Sequence, residues 1–546
     1  MSNKVHRAYE NLQEHLEKLQ KKGLLYQIDR RINKDTEMHP LVRWQFSGGI
    51  EEKDRKGFLF TNITDSHGTR YEGIDVAIGV LASNSQIYGI GMNQPVEKIG
   101  ERWLYAMKHP IDPVPVEEAP VQELIFVKDD IDTPGKGLEM LPIPISTPGF
   151  DAAPYFTAGL WITRDPETGV QNMGVYRGML KSCNRLGVMM ERSTLAGGHV
   201  HWEKYREHKQ PMPFAVVLGA PPIVEFTGPQ KLPIGVDEIT VAGGLAGGPI
   251  HTVKCRTVDL VVPAEAQVIV EGWIDTEYLE PEGPFGESHG YMQIEEYNMT
   301  GTVTAITRRR QAVVTSIISQ VTPSESSVIK KLAYEPIYLD HLRNQLNIKT
   351  VKALTMHESL TNLRKVLFIV MDQLASQTEV WRALNGAAAF QPAVGKYCIA
   401  VNDDIDTSNT DHVLWAMAYR CNPIDDVEIH KYRSRGHAPH SKGPIVESTM
   451  LVDATIKCNF PPVALPKKEH MENAKRIWEE LKLPSLKPET PWFGYSLGEW
   501  NETWDRSAEN AAASNWTLNG KRSETLRKPA GNTMTQTPVT IDQEIE

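Results

Sequence analysis

Residues 282–291 read Glu-Gly-Pro-Phe-Gly-Glu-Ser-His-Gly-Tyr, which places two carboxylates, Glu282 and Glu287, on either side of a Gly-Pro-Phe-Gly turn. Glycine permits backbone geometries that other residues resist, and proline fixes one dihedral angle, so this turn can direct both acids into one cavity. Neighbouring carboxylates repel each other, which raises the pKa of one of them, and a carboxyl group that keeps its proton near neutral pH can act as a general acid. The alternative is a solvated acidic turn before a strand.

The chain that carries this stretch is long and acidic. Its 546 residues exceed what one core can bury, so we expect two or three domains. An apolar content of 40% and a charged content of 23% are typical of globular proteins. The formal net charge of −11 disfavours nonspecific binding to nucleic acid, which needs a basic face, so we expect no nucleic-acid partner.

Three further features bear on where the protein works. No run of about 18 apolar residues occurs, so we expect no membrane-spanning helix. The N-terminus lacks the apolar core of a secretory signal. The five cysteines are scattered and form no Cys-x-x-Cys pair, which argues against a disulfide framework and a structural zinc site. These features favour a cytoplasmic protein.

The first part of the chain reads as an α/β segment. Apolar residues at helical spacing predict helices over 8–22 and 96–108, and alternating residues predict strands over 24–32, 56–62 and 73–82. A proline-rich connection at residues 110–120 marks the first boundary. We therefore predict an N-terminal α/β domain over residues 1–121.

The next two hundred residues are rich in strand signals. Strands are predicted over 156–163, 170–177, 213–219, 251–263, 267–275, 300–307 and 312–320. Many strands with little helix argue for a barrel or a sandwich, which we place over residues 122–322. The glycine-rich run at 243–248 lacks the spacing of a dinucleotide fingerprint or a P-loop. It predicts a tight turn or a close backbone approach to a ligand.

The remaining chain predicts a linker helix over 323–345 and a second α/β domain over 346–500. Two apolar strand-length runs, 366–370 and 397–401, flank a helical pattern over 374–389, as in a parallel sheet. Aspartates at 403–406 could bind a metal, but helix capping and solvation are the commoner uses. A capping-box variant at 408–411 opens a helix over 411–420, and a late amphipathic helix covers 467–483. Residues 501–546 form a polar tail with little periodicity.

Several polar residues of the strand-rich region could join the two acids. Asn172 and Arg177 lie on one predicted strand, where a spacing of five places them on opposite faces, so a bulge or a strand end is needed for both to reach one ligand. His199, His201 and Glu238 follow. Each of these has a structural alternative: a turn contact for Asn172, a surface charge for Arg177, and packing or solvation for the others.

Taken together, these motifs resemble the UbiD family of decarboxylases. The similar segments follow the family's order through most of the chain: 172–177, 213–219, 253–263, Glu271-Gly, Glu-Gly-Pro-Phe-Gly-Glu at 282–287, His-Gly-Tyr at 289–291, Asp-Asp-Ile-Asp at 403–406 and Val-Asp-Ala-Thr-Ile-Lys at 452–457. The N-terminal 120 residues and the last 45 carry little of the resemblance. The resemblance implies an α+β multidomain protein whose central domain is a split β-barrel, similar to flavin reductases.

The resemblance also implies a cofactor and roles for particular residues. It implies prenylated FMN and a catalytic set of Arg177, Glu282 and Glu287, with Glu287 as the proton donor. Aspartate occupies this last position in some relatives. It further implies a manganese ion that links the cofactor phosphate to Asn172, His199 and Glu238, with a potassium ion nearby. His199 is preferred to His201 because it aligns better with the Trp-x-x-Tyr-Arg that follows. Lys396 is similar to a lysine that reaches the cofactor.

The expected activity is reversible, non-oxidative decarboxylation of an aromatic, heteroaromatic or α,β-unsaturated acid, free or as a coenzyme A thioester. Family resemblance implies dependence on a flavin prenyltransferase and assembly into a homo-oligomer, a dimer or a hexamer. Three alternatives stay open at this point: a carboxylase that works in reverse as a subunit of a complex, a non-catalytic flavin-binding paralogue, and a manganese hydrolase built on Asn172, His199 and Glu238. The paralogue should have lost an acid or the arginine, which this chain keeps.

Overall fold

The computed structural model describes residues 7–191, 195–233, 235–357, 364–434, 446–457, 461–486, 494, 498 and 500–527. Residue contacts divide the chain into two compact units. The first comprises residues 1–403 and 407–455, and the second comprises 404–406 and 456–546. The domain limits predicted inside the first unit stay a prediction.

The N-terminal part of the first unit alternates short helices and strands. They are α1 (Leu12–Lys21), β1 (Leu25–Ile28), β2 (Ile32–Asn33), α2 (Met38–Ser47), β3 (Gly57–Phe60), β4 (Ile63–Thr64), β5 (Arg70–Tyr71), β6 (Ile74–Ile78), α3 (Ser85–Gly91), α4 (Ile99–Lys108), β7 (Val114–Pro115) and β8 (Leu124–Val127). The first helix begins later than predicted because Asn11 and Glu14 form a reciprocal cap, each side chain accepting a hydrogen bond from the backbone N–H of the other.

The central part is rich in strands, as predicted. Its elements are β9 (Tyr155–Phe156), β10 (Leu160–Arg164), β11 (Gln171–Val175), β12 (Gly178–Ser182), β13 (Arg185–Val188), α5 (Gly197–Glu207), β14 (Met212–Leu218), α6 (Pro222–Glu225), α7 (Glu238–Ala246), β15 (His251–Lys254), β16 (Val261–Pro263), β17 (Val268–Glu282), β18 (Phe285–Gly286), β19 (Met292–Gln293), β20 (Glu296–Arg308) and β21 (Ala312–Ser316).

A nine-stranded antiparallel sheet dominates this part. Its strands follow the order β11-β10-β14-β17-β20-β13-β12-β9, and β8 pairs with β20. A buried cluster that includes Trp161, Phe214 and Ile306 packs on it. β17 contains a bulge at Gly272, where a Cβ atom would lie 2.0 Å from the Thr302 carbonyl oxygen, so only glycine fits. The closure of this sheet into a split barrel stays a prediction.

Smaller sheets connect the parts of the first unit. One has the order β1-β3-β6-β21, so the last central strand completes a sheet of the N-terminal part by pairing in parallel with β6. Two others have the orders β2-β4-β5 and β16-β15-β7, and β18 pairs with β19 alone. The N-terminal and central parts therefore share sheets as well as apolar contacts.

The C-terminal part of the first unit contains α8 (Glu325–Asp340), β22 (Val351–Met356), β23 (Val366–Met371), α9 (Gln377–Phe390), β24 (Tyr397–Asn402), α10 (Thr410–Arg420), β25 (Val427–Ser434) and β26 (Val446–Asp453). Its sheet has the order β22-β23-β24-β26-β25. The predicted parallel pair is confirmed, because β23 and β24 run in parallel with α9 between them in sequence. The helix predicted over 411–420 is confirmed as α10, but its cap is Asn409, which accepts from the N–H of Asp411, rather than Ser408.

The second unit contains α11 (Lys468–Glu480), which confirms the late helix predicted over 467–483. It also contains α12 (Glu502–Ala512) and α13 (Thr517–Thr525), where we predict a polar tail, and Asn501 caps α12 by accepting from the N–H of Trp504. The prediction misses the last two helices because exposed polar residues dominate both. Residues 528–546 of the predicted tail lie outside the described residues. Over those that are described, no helix combines the length and the apolar character needed to cross a bilayer.

The structure corrects the prediction that the glycine-rich run at 243–248 forms a tight turn or approaches a ligand. Its first four residues belong to α7, and the helix ends at Gly247, which has a φ of +76°. A Cβ atom on Gly244 would lie 2.7 Å from the His109 carbonyl oxygen, and one on Gly243 would lie 2.5 Å from that of Ile111. The glycines therefore allow a close backbone approach, as predicted, but to the chain that follows α4.

Glu225, at the end of α6, gives the fold a pH dependence. It is buried, its Oε1 accepts from the N–H of Ala220 at 2.9 Å, and burial raises its pKa from 4.5 to about 8. The folded protein thus holds a proton that the unfolded chain releases above pH 4.5, so this contribution to stability is fully present below pH 4.5 and is lost as the pH rises through about 8.

We therefore expect Glu225 to contribute about 2 kcal/mol to the fall in the free energy of unfolding between about pH 5 and pH 8. The Glu225→Gln variant keeps an acceptor for Ala220 and should show a fall that is smaller by about this amount, because the other buried carboxyl groups titrate alike in both proteins. Urea midpoints of both proteins at the two pH values measure the difference. Equal pH dependence in the two proteins would contradict the assignment.

Candidate active site

Arg177 owes its position to a break between two strands. β11 ends at Val175 and β12 begins at Gly178, so Tyr176 and Arg177 lie between them. Trp161 holds this break by donating from Nε1 to the Tyr176 carbonyl oxygen at 2.9 Å. The spacing of Asn172 and Arg177 requires either a bulge or a strand end if both are to reach one ligand, and the structure has a strand end. Arg177 lies beyond it, so its side chain does not have to follow the alternation of side chains along β11.

Glu282 is the last residue of β17 and is completely buried. Arg177 donates to both of its oxygens, from Nε to Oε1 at 3.0 Å and from Nη2 to Oε2 at 2.6 Å. Asn298, on the neighbouring β20, donates from Nδ2 to Oε2 at 3.1 Å. Gly187 makes room for the pair, since a Cβ atom there would lie 3.1 Å from Cγ of Glu282. This fork-to-carboxylate geometry is the strong form of a charge-assisted pair.

Glu287 lies in the bend of the β18–β19 hairpin. Its N–H donates to the Tyr291 carbonyl oxygen at 3.0 Å, and its Oε1 contacts Nη1 of Arg177. The N–H of Ser288 donates to its Oε2 at 3.1 Å. Asp151 fixes the start of the hairpin by accepting from the N–H of Gly286 at 2.9 Å. One guanidinium therefore holds both acids of the opening stretch.

The surroundings of this triad (Arg177, Glu282 and Glu287) are dry and aromatic. All three side chains are buried. Burial opposes the charge of Arg177, but the negative charges of Glu287 and Glu282 outweigh it and raise its pKa. The ring centres of Tyr155 and Phe285 lie 4.2 Å apart, and Cζ of Arg177 lies 5.5 Å from the Phe285 ring centre. Burial and the charge of Glu282 raise the pKa of Tyr155, which keeps its hydroxyl protonated.

Contacts between neighbouring residues bring together the segments that carry the three candidate metal ligands. Oδ1 of Asn172 packs against Gly197, where a Cβ atom would lie 1.9 Å away, and Gly197 opens the helix that carries His199. Glu238 accepts from the N–H of Met173, next to Asn172, at 2.7 Å. Burial raises the pKa of Glu238 to about 8. Across the described residues, no group of three or more His, Cys, Asp or Glu could hold a metal, so a site here depends on the Asn172 amide.

The donor atoms of this trio fit a metal ion. Within the described residues, Nδ1 of His199, a nitrogen that can ligate a metal, is buried without a hydrogen-bond partner. The other ring nitrogen of His199, Nε2, lies 3.2 Å from Oε1 of Glu203. A histidine that binds a metal through one nitrogen commonly donates its other N–H to a carboxylate. An amide oxygen, a carboxylate and one imidazole suit manganese.

Two other predicted residues have different surroundings. His201 lies 2.8 Å from Oγ1 of Thr163 through Nδ1, and burial lowers its pKa to about 4, as expected of a neutral core histidine. Lys396, just before β24, pairs with Glu447 of β26 at 2.9 Å. The structure thus gives Lys396 a carboxylate partner within its own sheet.

Sequence reasoning misses Asn298, Tyr155 and Asp151. Asn298 reaches Glu282 only because the bulges in β17 set its register with β20, and a bulge in a long strand leaves little trace in the sequence. Tyr155 and Asp151 are separated from Glu282 by more than a hundred residues. The pattern Gly149-Phe150-Asp151 is too common in proteins to indicate a functional role for either residue.

Two family models match most of the chain. The model of the 3-octaprenyl-4-hydroxybenzoate carboxy-lyase Rift-related domain (UbiD) matches residues 113–321. The model of the 3-octaprenyl-4-hydroxybenzoate carboxy-lyase C-terminal domain matches residues 327–454. An uncharacterized protein of Synechocystis sp., sll0936, is 27% identical over 440 residues, which cover 75% of this chain and 82% of that protein.

Solved structures are similar over nearly their whole length. The UbiD-class enzyme HmfF from Pelotomaculum thermopropionicum in complex with FMN is 29% identical with a TM-score of 0.73, covering 85% of this chain and 100% of that one. An evolved dimeric form of HmfF in complex with prFMN, prenylated FMN, is 30% identical with a TM-score of 0.70, covering 84% and 97%. The vanillic acid decarboxylase of Sedimentibacter hydroxybenzoicus, 23% identical with a TM-score of 0.72 over 87% and 99%, shares the fold.

Proposed function

The chain belongs to the UbiD family of carboxy-lyases, and on that premise we propose that it is a reversible, non-oxidative decarboxylase that depends on prenylated FMN. Its substrate is an aromatic, heteroaromatic or α,β-unsaturated acid, free or as a coenzyme A thioester, because the cofactor has to engage a π system. The reaction replaces a carboxylate with a proton and releases CO2. The observation that carries the proposal is the single buried guanidinium that holds Glu282 and Glu287 together.

Each side chain of the triad has a separate role in the proposed reaction. Arg177 holds Glu282 in place through two hydrogen bonds, and its Nη1 contacts Glu287 and orients that second acid. Oε1 of Glu287 faces Arg177, so we assign the transferable proton to Oε2. Glu287 gives this proton to the carbon that loses CO2 and takes it back in the reverse direction. Burial excludes water, which would otherwise compete as the proton source.

The residues present suit the cofactor that this reaction needs. Prenylated FMN, when bound, supplies an electron sink for the carbon that loses CO2. Asn172, His199 and Glu238 would hold a manganese ion against the cofactor phosphate, a use that the unpartnered Nδ1 of His199 favours. A potassium ion and Lys396 complete the proposed cofactor site. Supply of the cofactor by a flavin prenyltransferase and assembly into a homo-oligomer are parts of the same proposal.

The metal trio leads to a prediction about composition. We expect the His199→Ala variant, purified with its cofactor, to lose most of its manganese and most of its flavin, because the ion that neutralises the phosphate has lost its imidazole ligand. Metal analysis by mass spectrometry and the flavin absorbance per chain measure both losses. His208→Ala, an exposed histidine just beyond the same helix, is the control. Full manganese and flavin content in His199→Ala would contradict the assignment.

A substrate screen tests the activity. The enzyme, produced together with a flavin prenyltransferase, is incubated with a panel of aryl, heteroaryl and α,β-unsaturated acids and their coenzyme A thioesters. We expect CO2 release from at least one compound and, in the presence of bicarbonate, formation of the same acid from its product. A flavin-loaded enzyme that converts none of them in either direction would refute the proposed function.

A further inference from the structure

Two basic side chains outside the triad, Lys330 and Arg364, interact electrostatically, and Glu287 acts on the first of them. Lys330 is on α8, and Arg364 lies two residues before β23. Burial and the charge of Arg364 lower the pKa of Lys330 to about 7, and the negative charge of Glu287 opposes this shift. Lys330 is therefore within electrostatic reach of both the proposed proton donor and a second cation.

Arg364 contributes hydrogen-bond donors that lack acceptors. Its Cζ lies 4.0 Å from the ring centre of Tyr334, also on α8. Its Nε and Nη1 are buried and find no hydrogen-bond partner in the part of the chain that the structure describes, and the same holds for the hydroxyl of Tyr338, one helical turn further on. Buried donors without acceptors cost free energy, so such a group is expected where a ligand completes it.

Lys231 adds a third cation at the exposed edge of this group. Its backbone N–H donates to the Tyr334 hydroxyl at 3.0 Å. Burial of part of its side chain, together with the charge of Arg364, lowers its pKa. We call Lys231, Lys330, Tyr334, Tyr338 and Arg364 the Arg364 cluster. The unpartnered Nε and Nη1 of Arg364 are the donors of this cluster that an anion would satisfy.

We propose that the Arg364 cluster is a second anion-binding subsite, which takes the distal carboxylate of a dicarboxylic substrate whose reacting end lies at Glu287. The stacking of Arg364 on Tyr334 leaves the N–H edge of the guanidinium for a carboxylate, and the tyrosine rings flank a planar substrate. This inference rests on the proposed function and adds the substrate class to it.

Binding measurements on the flavin-loaded enzyme test the subsite without requiring turnover. The probes are two ring-matched pairs, benzoate with benzene-1,4-dicarboxylate and cinnamate with 4-carboxycinnamate, titrated by calorimetry. We expect the diacid of at least one pair to bind at least about tenfold more tightly than its monoacid, the gain expected from one charge-assisted hydrogen bond.

Two variants test which residues cause the tighter binding of the diacid. In Arg364→Gln and, independently, in Lys330→Gln, we expect the preference for the diacid to fall to within about twofold while the monoacid binds as before. Arg310→Gln, an exposed arginine between β20 and β21, is the matched control and should keep the full preference. Thermal melting identifies a variant that has not folded, in which case the other variant decides.

The outcomes separate the two proposals. Equal affinity within both pairs, failure of every diacid to bind, or an undiminished preference in the folded variants would overturn the subsite. Decarboxylation of monoacids alone would leave the proposed function intact and exclude a need for the second carboxylate. Diacid binding that depends on Arg364, in an enzyme that decarboxylates nothing, would support the subsite and refute the decarboxylase.

Discussion

The Glu287→Gln variant should lose roughly a thousandfold in kcat, in the range by which a positioned general acid accelerates a reaction. The amide keeps the size of the side chain and an oxygen for Arg177, but it has no proton to give. In deuterated water the wild type should place deuterium at the carbon that loses CO2, and the variant should leave exchange at that carbon near background. Product analysis by mass spectrometry measures both effects.

Two further variants make this result specific. Glu280→Gln changes an acid on β17 that pairs with Lys181 and Arg185 at a partly exposed position, and it should keep nearly full activity. Glu287→Asp keeps the acid on a shorter side chain and should retain part of the rate. Ordinary turnover and deuterium incorporation in Glu287→Gln would exclude Glu287 as the proton donor.

Replacing Arg177 with methionine should reduce both stability and activity. The change leaves two buried carboxylates beside each other without their cation, which is expected to lower the free energy of unfolding by about 3–5 kcal/mol. Glu287 would also lose the guanidinium that holds it in position, so kcat should fall by at least about a hundredfold. Urea unfolding and steady-state kinetics measure the two losses.

Arg185 offers a matched control for this change. It pairs with Glu280 on the same sheet, but its side chain is 45% exposed, so Arg185→Met should cost no more than about 1 kcal/mol. The double variant Arg177→Met/Glu282→Gln should regain part of the lost stability, because one buried charge is gone, without regaining activity. A stable and active Arg177→Met protein would show that the triad is neither a structural nor a catalytic unit.

The sequence predicts those parts of the fold that depend on local signals. The amphipathic pattern of α1, the apolar runs of β23 and β24 and the turn at residues 283–286 all lie within a few residues of what they determine. The helices α5 and α7 escape prediction, since each carries glycines that usually end helices. Tertiary packing overrides that propensity, as the contact of Gly244 with the His109 carbonyl illustrates.

The candidate site is harder to predict, because its members come from distant segments. Arg177 is separated from Glu282 by 105 residues, and no local pattern links the two. The family resemblance supplies that link. It supplies none for Asn298, whose contact with Glu282 depends on strand register, or for Arg364, whose neighbours on α8 are known only from the fold. Long-range register and side-chain direction are therefore what the structure adds.

Paired preparations of the enzyme test the central claim most directly: that Arg177, Glu282 and Glu287 act on a π-conjugated acid only beside prenylated FMN. The protein is produced with and without a flavin prenyltransferase, and both preparations are assayed for CO2 release from the best acid of the screen. Activity confined to the preparation that carries the prenylated flavin is the predicted result. Equal activity in the two preparations would contradict the account.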